Sequence, residues 1–101
     1  TGGDVILSFG DSDTEDFYHG RVTKGTRRFP ASIVNIAHRK LDMIAAAYRL
    51  NDLSIPPGNR LEALKGNLAG FYSVRINDQW RIIFRWENHN ASLVQVMDYH
   101  S

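Results

Sequence analysis

Phe71-Tyr72-Ser73-Val74-Arg75-Ile76-Asn77-Asp78-Gln79-Trp80-Arg81-Ile82-Ile83-Phe84-Arg85-Trp86 is the stretch whose reading decides the fold. Two runs rich in β-branched and aromatic residues, Phe71–Ile76 and Trp80–Trp86, flank three turn formers, which is the pattern of a hairpin. Loop length then fixes which side chains share a face. With Asn77-Asp78-Gln79 as a three-residue loop, Ile76 stands opposite Trp80, Val74 opposite Ile82 and Tyr72 opposite Phe84. Arg75 then faces Arg81, and Ser73, Ile83 and Arg85 lie on that same opposite surface. A two-residue turn would set Arg81 across from Val74 and mix the faces. The longer loop therefore gives a sheet with one aromatic, apolar face and one face carrying Arg75, Arg81 and Arg85.

A third run, Ser92–Tyr99, extends the hairpin into a meander, and Arg60–Leu64 upstream reads as a further strand, interrupted at Lys65-Gly66-Asn67. Before it, Pro56-Pro57-Gly58-Asn59 stops any helix. The strongest helical pattern spans Ala31–Leu50. Pro30 can start it, and Ile33, Ala37, Leu41, Ile44 and Tyr48 fall on one face, with Arg39, Asp42, Ala46 and Arg49 on a solvated one. Nearer the start, Val5–Phe9 reads as a first strand closed by Gly10. Asp11-Ser12-Asp13-Thr14 offers cap chemistry for a short helix over Glu15–His19. Gly20 and Gly25 bracket a loop with Arg21, Lys24, Arg27 and Arg28, a candidate basic patch. The expected fold class is α+β: a twisted, mainly antiparallel sheet of four to five strands with helices packed on one face.

Length and composition agree with a single domain over residues 1–101, since 101 residues with 43% hydrophobic content and 11% aromatics supply one core and no more. Thr1-Gly2-Gly3 is read as a trimmed or appended start outside that fold. The chain has no cysteine, which removes disulfides, thiolate metal sites and a catalytic thiol. No apolar run approaches the roughly 18 residues of a membrane span, and neither a signal peptide nor a membrane partner is expected; the cytoplasm is the expected location. The net charge of +1 averages two unlike segments. Residues 1–16 hold five acids and no Lys or Arg, whereas Arg21 to Arg85 hold all 12 basic residues against four acids, a balance of +8. That asymmetry points to a polyanionic partner for the basic part or to an ordinary solvated surface. Guanidinium groups suit phosphate oxygens, and nine of the 12 basic residues are Arg.

No phosphate-binding glycine loop, HExxH helix or EF-hand spacing is present, and the histidines are scattered singly, so neither metal nor cofactor is expected. Asp98-Tyr99-His100 brings three proton-handling groups together. In an extended strand Asp98 and His100 share a face and Tyr99 points away, so all three converge only if the chain bends there.

Leu61-Glu62-Ala63-Leu64-Lys65-Gly66, Gly70-Phe71-Tyr72-Ser73-Val74-Arg75-Ile76, Trp80-Arg81-Ile82-Ile83-Phe84 and Asp98-Tyr99-His100, in this order, resemble the HigB branch of the RelE/ParE toxin superfamily. Pro56-Pro57-Gly58-Asn59-Arg60-Leu61-Glu62 is similar to its GraT-type subgroup. The resemblance implies a RelE-like fold with a concave basic cleft. It also implies the toxin of a type II toxin–antitoxin system, a ribosome-dependent endoribonuclease that cuts mRNA in the ribosomal A site. A HigA-like antitoxin with a helix-turn-helix is the implied partner, with operator DNA bound only through the complex. Such cleavage needs a base for the ribose 2′-OH, cations for the phosphorane and an acid for the leaving oxygen. By resemblance, Lys65 and Arg81 stabilise charge, while Asp98, Tyr99 and His100 transfer protons and position the nucleotide. Arg75, Arg85, Arg60, Arg27 and Arg28 are the candidate RNA-binding residues. HigB toxins commonly have His-Pro where this chain has Glu62-Ala63, so Glu62 is either a replacement base or an ion-pair partner of its basic neighbours. Two alternatives stand beside this reading: a ParE-like, non-enzymatic inhibitor of DNA gyrase, and an inactive DNA-binding or co-repressor subunit.

Overall fold

The computed structural model describes residues 6–99. Its helices are α1 (Ser12–Tyr18) and α2 (Ala31–Ala46), and its strands are β1 (Glu62–Ala63), β2 (Tyr72–Arg75), β3 (Trp80–Glu87) and β4 (Asn90–Asp98). The strands form one antiparallel sheet in the order β1-β2-β3-β4. Short 3-10 turns fill the connections.

Between β2 and β3 the pairs are Tyr72 with Phe84, Ser73 with Ile83, Val74 with Ile82 and Arg75 with Arg81, the register required by a three-residue loop. Asn77 enforces it: its Oδ1 accepts from the backbone N–H of both Gln79 and Trp80 at 2.8 Å, an Asx-type turn. Val74, Ile82 and Phe84 are wholly buried on the helix side, beside Ile33, Ala37, Leu41 and Ile44 of α2. Phe29 packs between Phe17 and Trp80, with ring centroids 5.2 and 5.8 Å away.

Strand β4 carries an irregularity that alternation alone does not reveal. The register with β3 shifts between Ile83 and Arg85, and Leu93 adopts φ 51°. One extra residue there inverts the inside–outside order. Ala91, Val94 and Val96 consequently all face the core. The outer edge of β4 is covered by the start of the chain. Ile6 and Phe9 make isolated parallel bridges to Ala91 and Val94, so the expected first strand is a pair of bridges over its described part, and Val5 lies outside the described residues. Farther along, Thr14 Oγ1 of α1 accepts from the backbone N–H of Val96 at 2.9 Å. An exposed strand edge is thereby closed without a fifth antiparallel strand.

Three element boundaries differ from expectation. Helix α1 starts at Ser12 because Asp11 is its N-cap, its carboxylate accepting from Thr14 N at 2.8 Å. Helix α2 ends at Ala46 and not at Leu50. The Asp52 carboxylate takes the N–H groups of Tyr48 and Arg49, donors that another helical turn would need. Tyr48 leaves the apolar face, is 65% exposed and stacks on His89 of the β3–β4 turn at 4.3 Å. The strand expected over Arg60–Leu64 contracts to Glu62–Ala63, since Arg60 is left-handed at φ 45° and caps the turn Pro57–Asn59.

Thr14 is buried and its hydroxyl is the acceptor for Val96 N–H, so Thr14→Val keeps the shape and orphans that donor. Urea unfolding of the full chain should show a loss of about 1–3 kcal/mol; an unchanged midpoint would mean that the edge is satisfied without Thr14.

Candidate functional site

The sheet face turned away from α2 presents Arg75, Arg81 and Arg85, and their surroundings differ. Arg75 is hydrogen-bonded through Nη2 to Asp78 of the hairpin loop. Arg81 is the most enclosed of the three. Its Nη1 donates to Glu62 Oε1 at 3.0 Å and to Ser73 Oγ at 3.2 Å, and its guanidinium carbon sits 5.0 Å from the centroid of the Tyr99 ring. Strand order explains this cluster. Glu62 pairs with Ser73 across β1 and β2, Ser73 is one strand from Arg81, and Tyr99 continues β4 next to it, with its N–H on Gln79 O at 2.6 Å. Arg85 carries no carboxylate contact among the described residues and lies over the Phe71 ring at 5.4 Å.

The other expected site residues are spread more widely. Lys65 is exposed at the end of β1, where it precedes the turn Gly66–Leu68, and Arg60 is exposed two residues before Glu62. Asp98 is paired with Trp80 and bonded by Gln79 Nε2 at 3.1 Å. Directly opposed residues share a face, so its side chain stands on the helix side and is not brought to Arg81. His100 lies outside the described residues. Arg27 and Arg28 lie in the turn Thr26–Arg28 that leads into Phe29, and the guanidinium of Arg28 sits 4.4 Å from the centroid of that ring. Arg28 is held by Asp11 and Asp13 at 3.2 and 2.9 Å, and Arg21 by Asp16 at 3.0 Å. The acidic head therefore neutralises half of the expected basic loop.

Two relevant residues escaped the sequence reading. Phe71 could have been found, because it continues the 73, 75 alternation onto the arginine face. Lys40 falls on the stripe of Ile33, Ala37 and Ile44 by its spacing, and it is buried with Nζ on the carbonyl of Arg75. Burial holds this lysine below its ordinary value of 10.5, and repulsion from Arg39 and Arg75 adds to the effect. Among the described residues, no three His, Asp or Glu side chains gather as metal ligands, and no helix is long and apolar enough to cross a membrane.

The family described as RelE-like toxin of type II toxin–antitoxin system HigB matches residues 7–100. Toxin HigB-1 of Vibrio cholerae serotype O1 is 49% identical over 82 residues, which cover 81% of this chain and 84% of that protein. Endoribonuclease HigB of Proteus vulgaris is 29% identical over 96 residues, covering 95% of this chain and all of that protein (100%). Among solved structures, the YoeB–YefM complex from Staphylococcus aureus aligns with TM-score 0.58 at 23% identity over 95% of both chains. The YoeB dimer from the same organism aligns with TM-score 0.57 at 21% identity over 98% of this chain and 99% of its own. These two likenesses concern the fold.

Glu62 competes with any anion for Arg81. Glu62→Gln should therefore tighten inorganic phosphate binding by about 1.5- to 5-fold, the range of an exposed ion pair, followed at the Arg81 Nε resonance; an unchanged affinity would show that the pair does not compete. Lys40 gives a pH signature. Its folded-state pKa is lowered, so between that value and 10.5 the unfolded chain binds more protons, and stability rises with pH across this window. The stability of the wild type relative to Lys40→Met should climb as pH approaches 10.5 and level off above it, measured by urea midpoints.

Proposed function

We propose the following from the premise that the chain belongs to the HigB-like toxins of type II toxin–antitoxin systems: it is an endoribonuclease that cuts mRNA on the ribosome and so stops translation. A relative matched over 95% of this chain is named Endoribonuclease HigB, which supports the enzymatic reading over ParE-like inhibition of gyrase. The observation that carries the mechanism is the setting of Arg81, a cation already oriented by Ser73, Glu62 and Tyr99 on an open, arginine-bearing face.

The reaction proceeds by attack of the ribose 2′-oxygen on the adjacent phosphorus. A bond forms from the 2′-oxygen to phosphorus, the bond from phosphorus to the 5′-oxygen breaks, and a 2′,3′-cyclic phosphate and a 5′-hydroxyl result. Arg81 and Lys65 neutralise the charge that builds on the phosphorane oxygens. Tyr99 and His100 hold the nucleotide and handle the proton that leaves the 2′-OH and the one that reaches the 5′-oxygen. Asp98, on the other side of the strand, acts by fixing the segment that carries both. Glu62 serves as the counter-ion that orders Arg81 until phosphate takes its place. Arg75 and Arg60 contribute sequence-independent attraction to the RNA backbone, and Arg85 binds the same RNA strand. Arg28 is compensated by Asp11 and Asp13 and adds less to that attraction than Arg27, which carries no such pair among the described residues.

An antitoxin is the natural partner of such a chain. We assign it to the HigA-like type with a helix-turn-helix, so that operator DNA is engaged by the complex and not by this chain, and we place the activity in the cytoplasm with the ribosomes.

In vitro translation with primer-extension mapping of the message tests the proposal. Wild-type protein should give A-site cuts, and Arg81→Ala should reduce their rate by about 10²- to 10³-fold, the usual loss on removing one donor to a developing oxyanion. Absence of cuts from the wild type, or equal cutting by Arg81→Ala, would overturn it.

A further inference from the structure

Of the three arginines on the open sheet face, Arg75 is tied to Asp78 and Arg81 to Glu62. Arg85 is exposed, and what positions it is an aromatic ring: its guanidinium lies 5.4 Å from the centroid of Phe71. Extending the β2–β3 register by one pair beyond Tyr72 and Phe84 sets Phe71 directly across from Arg85. The contact is thus a cross-strand pair on the outward face. Gly70 makes room for it. That residue has φ +94°, and a Cβ there would stand 3.2 Å from Nη2 of Arg85, so any side chain would be strained and would press on the guanidinium.

These features make an exposed planar cation held beside an aromatic ring. A phosphate oxygen needs only charge and donors, which a lysine supplies as well. A flat guanidinium beside an aromatic ring is suited to a flat, electron-rich partner, and unpaired nucleobases stack on arginine planes and aromatic rings. Along β3 the platform is four residues from Arg81, about 13 Å at the usual rise of a strand. That is too far for the nucleotide held at Arg81 and within reach of its neighbours on the same RNA strand.

We propose that Arg85 and Phe71 form a stacking platform for an unpaired RNA base adjoining the nucleotide that is cut. This inference rests on the ribonuclease reading and adds to it a determinant of which sequence is cleaved. The platform reads the face of a base and not its edge, so it favours strongly stacking bases over weak ones and is indifferent to their hydrogen-bond pattern.

Short oligoribonucleotides made non-cleavable by 2′-O-methylation, with 2-aminopurine at successive positions around the cut, report stacking directly. Titrated with the full-length protein, one position next to the cut should be quenched. Arg85→Ala and Phe71→Leu should abolish that quenching and weaken binding by about 5- to 100-fold. Arg85→Lys keeps the charge and loses the plane, so it too should lose the quenching, whereas Arg39→Ala on the exposed face of α2 should retain it. Quenching that persists in Arg85→Ala, or wild-type quenching and affinity in Arg85→Lys, would overturn the platform. A wild type that cuts messages under the control of Arg81 but quenches no position would refute the platform alone. A wild type that makes no cuts would refute the ribonuclease reading on which it stands.

Discussion

The rest of the molecule depends on the register that Asn77 sets. Its carboxamide oxygen binds two successive N–H groups of the loop, and this closes the hairpin with three residues. Side chains alternate strictly along paired strands, so a slip by one residue would turn Arg81 toward α2 and expose Ile82. An unpaired guanidinium in that core would cost several kcal/mol. Packing and charge therefore select the same register, and a single turn decides that one side of the sheet is dry and the other cationic. The bulge at Leu93 extends the decision to β4, where it returns Ala91 to the apolar side.

Charge is then sorted in space by elements far apart in sequence. The acids of the first turns lie against the loop that follows α1, where Asp16 holds Arg21 and Asp11 and Asp13 share Arg28. Cations that look like a second basic patch are thereby locally compensated. On the sheet face the carboxylates are fewer, and both that touch arginines there, Asp78 and Glu62, are exposed. Arg85, which has no carboxylate contact among the described residues, stands on the same surface as Phe71, and on the proposed reading that surface suits a strand of nucleic acid.

What could be read from the sequence is what depends on neighbours along the chain. The hairpin register, the buried apolar positions Ile33, Ala37, Leu41 and Ile44 of α2 and the cap chemistry within Asp11-Ser12-Asp13-Thr14 are all local consequences of spacing and turn chemistry. The end of α2 was hidden because Asp52 reaches back for the N–H groups of Tyr48 and Arg49, a choice between two satisfactory sets of hydrogen bonds. The edge cover of β4 and the hydrogen bond of Lys40 need partners more than thirty residues away. The candidate site divides in the same way. Arg81 with Glu62 and Tyr99 follows from alternation plus strand order, and alternation also separates Asp98 from them. Counting charge along the chain does not report where counter-ions fold, as the pairing of Arg28 with Asp11 and Asp13 shows.

The two ends of the Glu62–Arg81 pair differ in exposure. The Arg81 side chain is only 17% exposed, while that of Glu62 is 56% exposed, so the carboxylate end of the pair is the end that water can release. An ion pair of this kind adds about 0–1 kcal/mol, whereas a phosphate offers more charge and matches the guanidinium fork with two oxygens. Exchange breaks one of the three contacts that fix Arg81. The hydroxyl of Ser73 and the ring of Tyr99 remain in place, and the cation is still aimed when the carboxylate has gone. On the proposed ribonuclease reading, Glu62 keeps Arg81 oriented until phosphate takes its place, and the proton chemistry is left to Tyr99 and His100.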